Sequence, residues 1–197
     1  PALDVLIKEF DGSKIIEDEN RFKEKIFSGK LFENKIQLKK LNFSFSKKQR
    51  LILNEIDLSI IKNSKIGIIG ENGSGKSTLI NLICGLLKPS EGKILVDDKD
   101  IETCIYEWQN QIGYVSQNTY LLDDNITSNI ALGVNEENID NKKIDYLMSF
   151  LEIDKKLNSK TNVGEAGKNI SGGQKQKIAI MRALYNDPEI LILDEAT

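Results

Sequence analysis

Residues 65–87, KIGIIGENGSGKSTLINLICGLL, constrain the fold of this 197-residue chain more than any other stretch. Ile66, Ile68 and Ile69 form a short β-branched run ending at Gly70, which predicts a buried strand. From Thr78 onward Leu79, Leu82, Ile83 and Leu86 recur at helical spacing. Between the two lies GENGSGKST, a G-x-x-x-x-G-K-[ST] phosphate loop made by Gly70, Glu71, Asn72, Gly73, Ser74, Gly75, Lys76, Ser77 and Thr78. Gly70, Gly73 and Gly75 let the backbone curl so that successive N–H groups point inward, and the helix starting near Lys76 adds its positive dipole end. The expected ligand is a polyphosphate, with Lys76 reaching the β- and γ-phosphates and the Ser77 hydroxyl on Mg²⁺.

Composition narrows the surroundings. The chain is long enough for one substantial core, and 27 basic against 30 acidic residues leave a net charge of −3, which removes any global electrostatic case for nucleic acid. No run of about 18 apolar residues occurs, so no membrane-spanning helix is expected within these residues. Cys84 and Cys104 lack metal-ligand spacing and suit a reducing compartment; Cys84 sits among apolar helix residues and reads as core. Histidine is absent, so a general base within these residues must be a carboxylate.

Along the chain, residues 1–35 read as a linker with a turn or two of helix and a solvated charged stretch. Leu38, Leu41, Phe43 and Phe45 belong to an extended segment, residues 47–50 to a polar turn, and residues 51–61 to a second ribbon, predicting a small antiparallel sheet. KILVD at 93–97 and IGYVSQ at 112–117 are further strands, the second placing Gln117 at a strand's carboxyl end, where open α/β sheets bind ligands. Residues 125–158 turn helical, with Ile139, Ile144, Leu147, Met148 and Leu151 as a core stripe. Ser171 and Gln174 form a capping-box pattern at the start of a helix that runs to Asp187-Pro188. Gly172 and Gly173 in its first turn are poor for helix stability and favour a second anion-binding helix start. Ile190, Leu191, Ile192 and Leu193 predict a fully buried strand ending in two carboxylates, Asp194 and Glu195.

The order phosphate loop, YVSQ, ISGGQ, ILILDEAT resembles the nucleotide-binding domain of ATP-binding cassette (ABC) transporters over residues 36–197. ISGGQ, residues 170–174, carries most of that resemblance, because a phosphate loop alone is shared by many nucleotide hydrolases. The resemblance implies an α/β fold: a P-loop NTPase (RecA-like) core with an N-terminal antiparallel β subdomain and an inserted α-helical subdomain at about residues 118–186. It implies ATP and Mg²⁺ as cofactors. Phe45 matches the aromatic that stacks on adenine, with Phe where most members have Tyr; Gln117 matches the residue touching Mg²⁺ and the attacking water. Asp194 resembles the carboxylate holding Mg²⁺ and Glu195 the base polarising that water. Ser171, Gly172, Gly173 and Gln174 would contact the γ-phosphate of ATP on a second nucleotide-binding domain, giving a head-to-tail dimer.

TNVGEAG, residues 161–167, is similar to a segment of ABC exporters in which the glutamate, here Glu165, faces the membrane domain. The general texture is similar to bacterial flippases for lipid-linked saccharides. The implied function is ATP hydrolysis coupled to export, on the cytoplasmic face of a bacterial inner membrane, with residues 1–35 following a membrane domain. Alternatives are a soluble ABC ATPase acting on DNA or ribosomes and a non-hydrolysing ATP clamp. Ile170 and Lys177 depart from the family's usual Leu and Arg. The family continues past this motif to a switch histidine, so these 197 residues are expected to bind ATP weakly and hydrolyse it poorly.

Overall fold

In the computed structural model, residues 31–46, 50–154 and 156–194 are described. Strand β1 (Lys35–Phe43) pairs antiparallel with β2 (Leu53–Ile61) on one edge and with β3 (Glu91–Val96) on the other, and a short β4 (Lys99–Asp100) extends β3. Ile36, Leu38, Leu41 and Phe43 are all buried, yet the step from 38 to 41 is odd and breaks the two-residue period. The chain resolves this with a register shift between Leu38 and Leu41 and a positive φ of 46° at Lys40, a bulge that returns Leu41 to the inner face.

That inner face packs on helix α1 (Lys76–Ile83) through Leu82 and Ile83, together with Leu53, Ile94, Val96 and Trp108. Trp108 lies in helix α2 (Ile105–Gln109), is fully buried, and donates its indole N–H to the Ile83 carbonyl at 2.7 Å. A buried indole without that partner would lose a hydrogen bond, so this contact fixes the carboxyl end of α1 against the sheet. The amino end of α1, and the glycine-rich loop before it, is left at the surface.

Strands β5 (Ile112–Val115) and β6 (Ile190–Leu193) form a separate parallel pair. A parallel pair requires a crossover. Here it contains α3 (Ile126–Ile130), α4 (Asn141–Phe150) and α5 (Gly172–Leu184). Ile126, Ile130, Ile144, Leu147, Met148, Ile178 and Met181 share a second core with Leu121 and Val163, and Ile139 and Leu151 pack at its margin. The stripe read from sequence is therefore the stripe that packs. Among the described residues, no helix is long and apolar enough to cross a membrane.

Two expectations are corrected. Residues 64–70 carry no strand, and Ile66, Ile68 and Ile69 are exposed, Ile69 almost completely at 97%. The parallel sheet is two strands wide among the described residues, so this run has no backbone ladder to join and no face to pack on. Strand β6 exists but is not fully buried. Ile190 and Ile192 pack toward the first core, while Leu191 and Leu193 stand on the face shared with Gly113 and Val115, where α5 covers β5 and leaves β6 open.

At the start, β1 begins at Lys35, and Phe32 before it is already buried in the first core. The rest of the expected linker, residues 1–30, lies outside the described residues, as do residues 47–49 of the expected turn.

Candidate functional site

The phosphate loop runs straight into α1. Gly75, the residue capping that helix, has φ 94° and supplies no side-chain cap, and a Cβ there would sit 3.1 Å from the side chains of both Ile52 and Leu53. Only glycine meets both demands, and the uncapped first turn leaves its N–H groups facing outward. The Lys76 ammonium donates to the Gly70 and Glu71 carbonyls at 2.8 and 2.9 Å, curling back over the loop. An open pocket of about 450 Å³ is lined by Ile52, Asn72, Gly73, Gly75, Lys76, Ser77, Thr78 and Gln117. A helix start without a side-chain cap beside one lysine is an arrangement whose electrostatics favour an anion. A larger concavity, about 890 Å³, lies over the antiparallel sheet beside Gln37, Lys39, Asp57 and Lys93 and holds none of the phosphate-loop residues.

Gln117 follows β5 by two residues and is exposed. It lines this pocket and also a second one of about 580 Å³ bounded by residues 115–120, Gly172, Gly173, Lys175 and Gln176. The capping box expected at the start of α5 is present. Gln174 Oε1 accepts the Ser171 N–H at 2.8 Å, and Ser171 Oγ accepts the Gln174 N–H at 3.3 Å. A Cβ on Gly172 or Gly173 would meet nothing within 4 Å. Packing among the described residues therefore does not require these glycines, although they cost helix stability.

Phe45 stands just beyond β1, 65% exposed, its ring held edge-on by Phe43 with centroids 5.1 Å apart. Glu165 is exposed at the start of a 3₁₀ turn, Glu165–Gly167, whose Ala166 carbonyl accepts the Lys175 ammonium of α5 at 2.8 Å. Lys177, standing where an arginine was expected, donates to the Glu152 carbonyl after α4 at 2.8 Å.

Asp194 follows β6, its N–H bonded to the Val115 carbonyl at 2.9 Å, and its Oδ2 accepts the Tyr114 hydroxyl at 3.1 Å. The sequence reading did not single out Tyr114, but the parallel register explains the contact. Tyr114 is opposite Ile192, two residues before Asp194, so both side chains share one face of the sheet. Burial first, then the Asp194 bond and charge, push the Tyr114 phenol up to about 12. Burial and the same carboxylate push the Cys84 thiol up to about 11, which agrees with its reading as core. Asp194 does not line the phosphate-loop pocket. Glu195 lies outside the described residues.

The sequence reading also missed Ile52, whose side chain walls the phosphate pocket, and the pair Asn129 and Arg182, which no local pattern marks.

The ABC transporter family matches residues 53–197. The ATP-dependent lipid A-core flippase of Cupriavidus pinatubonensis is 38% identical over 165 residues, covering 80% of this chain and 28% of the flippase. The alpha-hemolysin translocation ATP-binding protein HlyB of Escherichia coli O157:H7 is 42% identical over 167 residues, covering 82% of this chain and 24% of that protein. Among solved structures, a bacterial Atm1-family ABC exporter with ATP bound superposes with a TM-score of 0.73 at 32% identity, over 83% of this chain and 29% of the exporter. The chain thus spans less than a third of the length of these relatives. With the phosphate loop, the ISGGQ helix start and the strand ending in Asp194 all inside the matched residues, the chain belongs to the ABC transporter family.

Proposed function

We propose that this chain is the ATP-binding and ATP-hydrolysing unit of an exporter, coupling ATP-driven head-to-tail pairing of two such units to transport. The observation that carries the reading is Gln117, which borders both the phosphate-loop pocket and the pocket at Gly172 and Gly173. One residue thereby borders the place where a nucleotide's phosphates would lie and a helix start whose glycines have open space beside them among the described residues. A capped helix start that leaves its two glycine N–H groups uncovered is suited to a phosphate delivered by a second copy.

In this reading residues 36–197 are the nucleotide-binding domain, with an antiparallel β part, a P-loop core and a helical part at about 118–186; residues 1–35 follow a membrane domain. The unit works at the cytoplasmic face of the membrane, with Glu165 turned toward the membrane domain. Ser77, Gln117 and Asp194 offer only oxygen donors, the set that suits a hard cation such as Mg²⁺. Among the described residues no group of three or more acidic, histidine or cysteine side chains is placed to hold a metal ion, so these oxygens would leave part of the ion's coordination to water and phosphate. Held by these residues, Mg²⁺ would supply charge neutralisation for the phosphates. Phe45 stacks on the base, Lys76 leaves its two carbonyls for phosphate oxygens, and Gln117 and Glu195 orient and polarise the attacking water.

The test uses the full-length protein. Lys76→Ala should abolish nucleotide binding, and Glu195→Gln should keep binding while stopping hydrolysis and trapping a closed dimer. Hydrolysis unaltered by Glu195→Gln would remove Glu195 from its role.

A further inference from the structure

The loop carrying Gln117 is tied to the helix that presents Gly172 and Gly173 by a partly buried polar link centred on the buried Asn129. We propose that Arg182 and Asn129 are positioning residues that make these two parts of the site move together; this rests on the reading of Gln117 and of Ser171 to Gln174 given above.

Arg182 lies in the last turn of α5. Its guanidinium donates from Nε to the Asn129 carbonyl at 2.7 Å, from Nη1 to the Tyr120 carbonyl at 3.1 Å and from Nη2 to Asn129 Oδ1 at 3.2 Å. Asn129 is fully buried. Its Oδ1 also accepts the Leu122 N–H at 2.9 Å, and its Nδ2 donates to the carbonyls of Leu122 at 3.1 Å and Asn125 at 3.0 Å. Both backbone groups of Leu122 and the carbonyl of Tyr120 are therefore held from α3 and α5. Leu121 between them has no exposed surface and belongs to the helical core. By contrast, the Ser116 and Thr119 hydroxyls bond within the loop, to the Asn118 and Ser116 carbonyls at 3.2 and 3.5 Å.

None of the three Arg182 acceptors is a carboxylate, and burial lowers its pKa. A guanidinium in such a place is not explained by charge pairing, since an apolar residue would pack there at lower desolvation cost. What it does is cross-link two carbonyls 9 residues apart on the chain segment that leaves Gln117. Helix α5 then carries any displacement of that segment to Gly172, ten residues and about 15 Å of helix rise away. A nucleotide that draws Gln117 toward the phosphate loop pulls residues 120–122, and through Arg182 the glycine helix start.

The experiment is amide hydrogen exchange on the full-length protein with and without Mg·ATP, read at residues 116–122 and at residues 171–176. In wild type both segments respond. Arg182→Lys keeps the charge and can satisfy one acceptor but cannot fork to the others. It should bind ATP within about twofold of wild type and keep the response at 116–122. It should lose the response at 171–176, with kcat falling about tenfold or more at unchanged KM. Asn129→Ser, which cuts the bonds to Leu122 and leaves the backbone carbonyl for Arg182, should do the same and serves if the first variant does not fold. A response at 171–176 that survives in the folded variants overturns the link, as does a loss of ATP affinity in parallel with kcat, which marks a purely structural role. A wild-type protein whose 171–176 amides ignore Mg·ATP overturns the reading of that segment and the link with it.

Discussion

Replacing Gly172 and Gly173 together by alanine should stabilise the chain while disabling it. Neither glycine has a positive φ, both lie in the first turn of a 13-residue helix, and a Cβ at either meets nothing within 4 Å among the described residues. Glycine in a helix is less stable than alanine by roughly 0.5–1 kcal/mol, and the first turn carries the lower end of that range. The pair should therefore add about 1 kcal/mol, which for a chain of this size raises Tm by about 2–4 °C. Thermal denaturation of the nucleotide-free chain, followed by circular dichroism, reads the first effect. ATP-dependent assembly and hydrolysis of the full-length protein read the second, and both should fall about tenfold or more, because in the proposed assembly two methyl groups would stand where a partner's phosphate approaches. A lower Tm would show that the glycines serve packing within the chain. Hydrolysis at the wild-type rate would show that nothing needs to come close to them. Either result refutes the argument.

Tyr114→Phe removes the hydroxyl bonded to Asp194 and keeps the ring; if Asp194 holds Mg²⁺ as proposed, the Mg²⁺ concentration for half-maximal nucleotide binding should rise about tenfold, the scale of losing a group that orients a metal ligand, and an unchanged Mg²⁺ titration would count against that role. Both cysteines are buried and their thiols are pushed up, Cys84 to about 11, so Ellman's reagent at pH 8 should titrate neither in the native chain and both after denaturation. Asp97 accepts backbone N–H bonds from Glu33, Asn34 and Lys35; burial raises its pKa, but these bonds outweigh that and hold it below the usual carboxylate value. A pKa depressed by folding gives stability that is present above the ordinary carboxylate range and lost as pH falls through the folded value. Asp97→Asn should therefore cost about 1 kcal/mol at pH 7, allowing for solvent screening of a partly exposed group, and progressively less as the pH falls below the ordinary carboxylate range, as measured by urea unfolding.

What the sequence determined by itself lies within a few residues along the chain. Ser171 and Gln174 cap the same helix turn, Lys76 follows the loop it folds over, and Ile144, Leu147, Met148 and Leu151 share one helical face. Spacing of this kind is local geometry, fixed by 3.6 residues per turn or by two per pleat, and so it can be read before any tertiary contact is known. The bulge at Lys40 belongs partly here, since the three-residue step from Leu38 to Leu41 already breaks the strand period.

Tertiary structure decided the rest. An apolar run such as Ile66 to Ile69 states a preference for burial but does not name its partner, and with no neighbouring ladder among the described residues the run stays exposed. Tyr114 meets Asp194 across 80 residues and Arg182 meets Asn129 across 53, through contacts that exist only once the parallel pair and the helical core have formed. Period and capping are properties of a short segment, whereas the partner of a carboxylate or a guanidinium depends on which segments pack together, and that is settled by the burial of the whole chain.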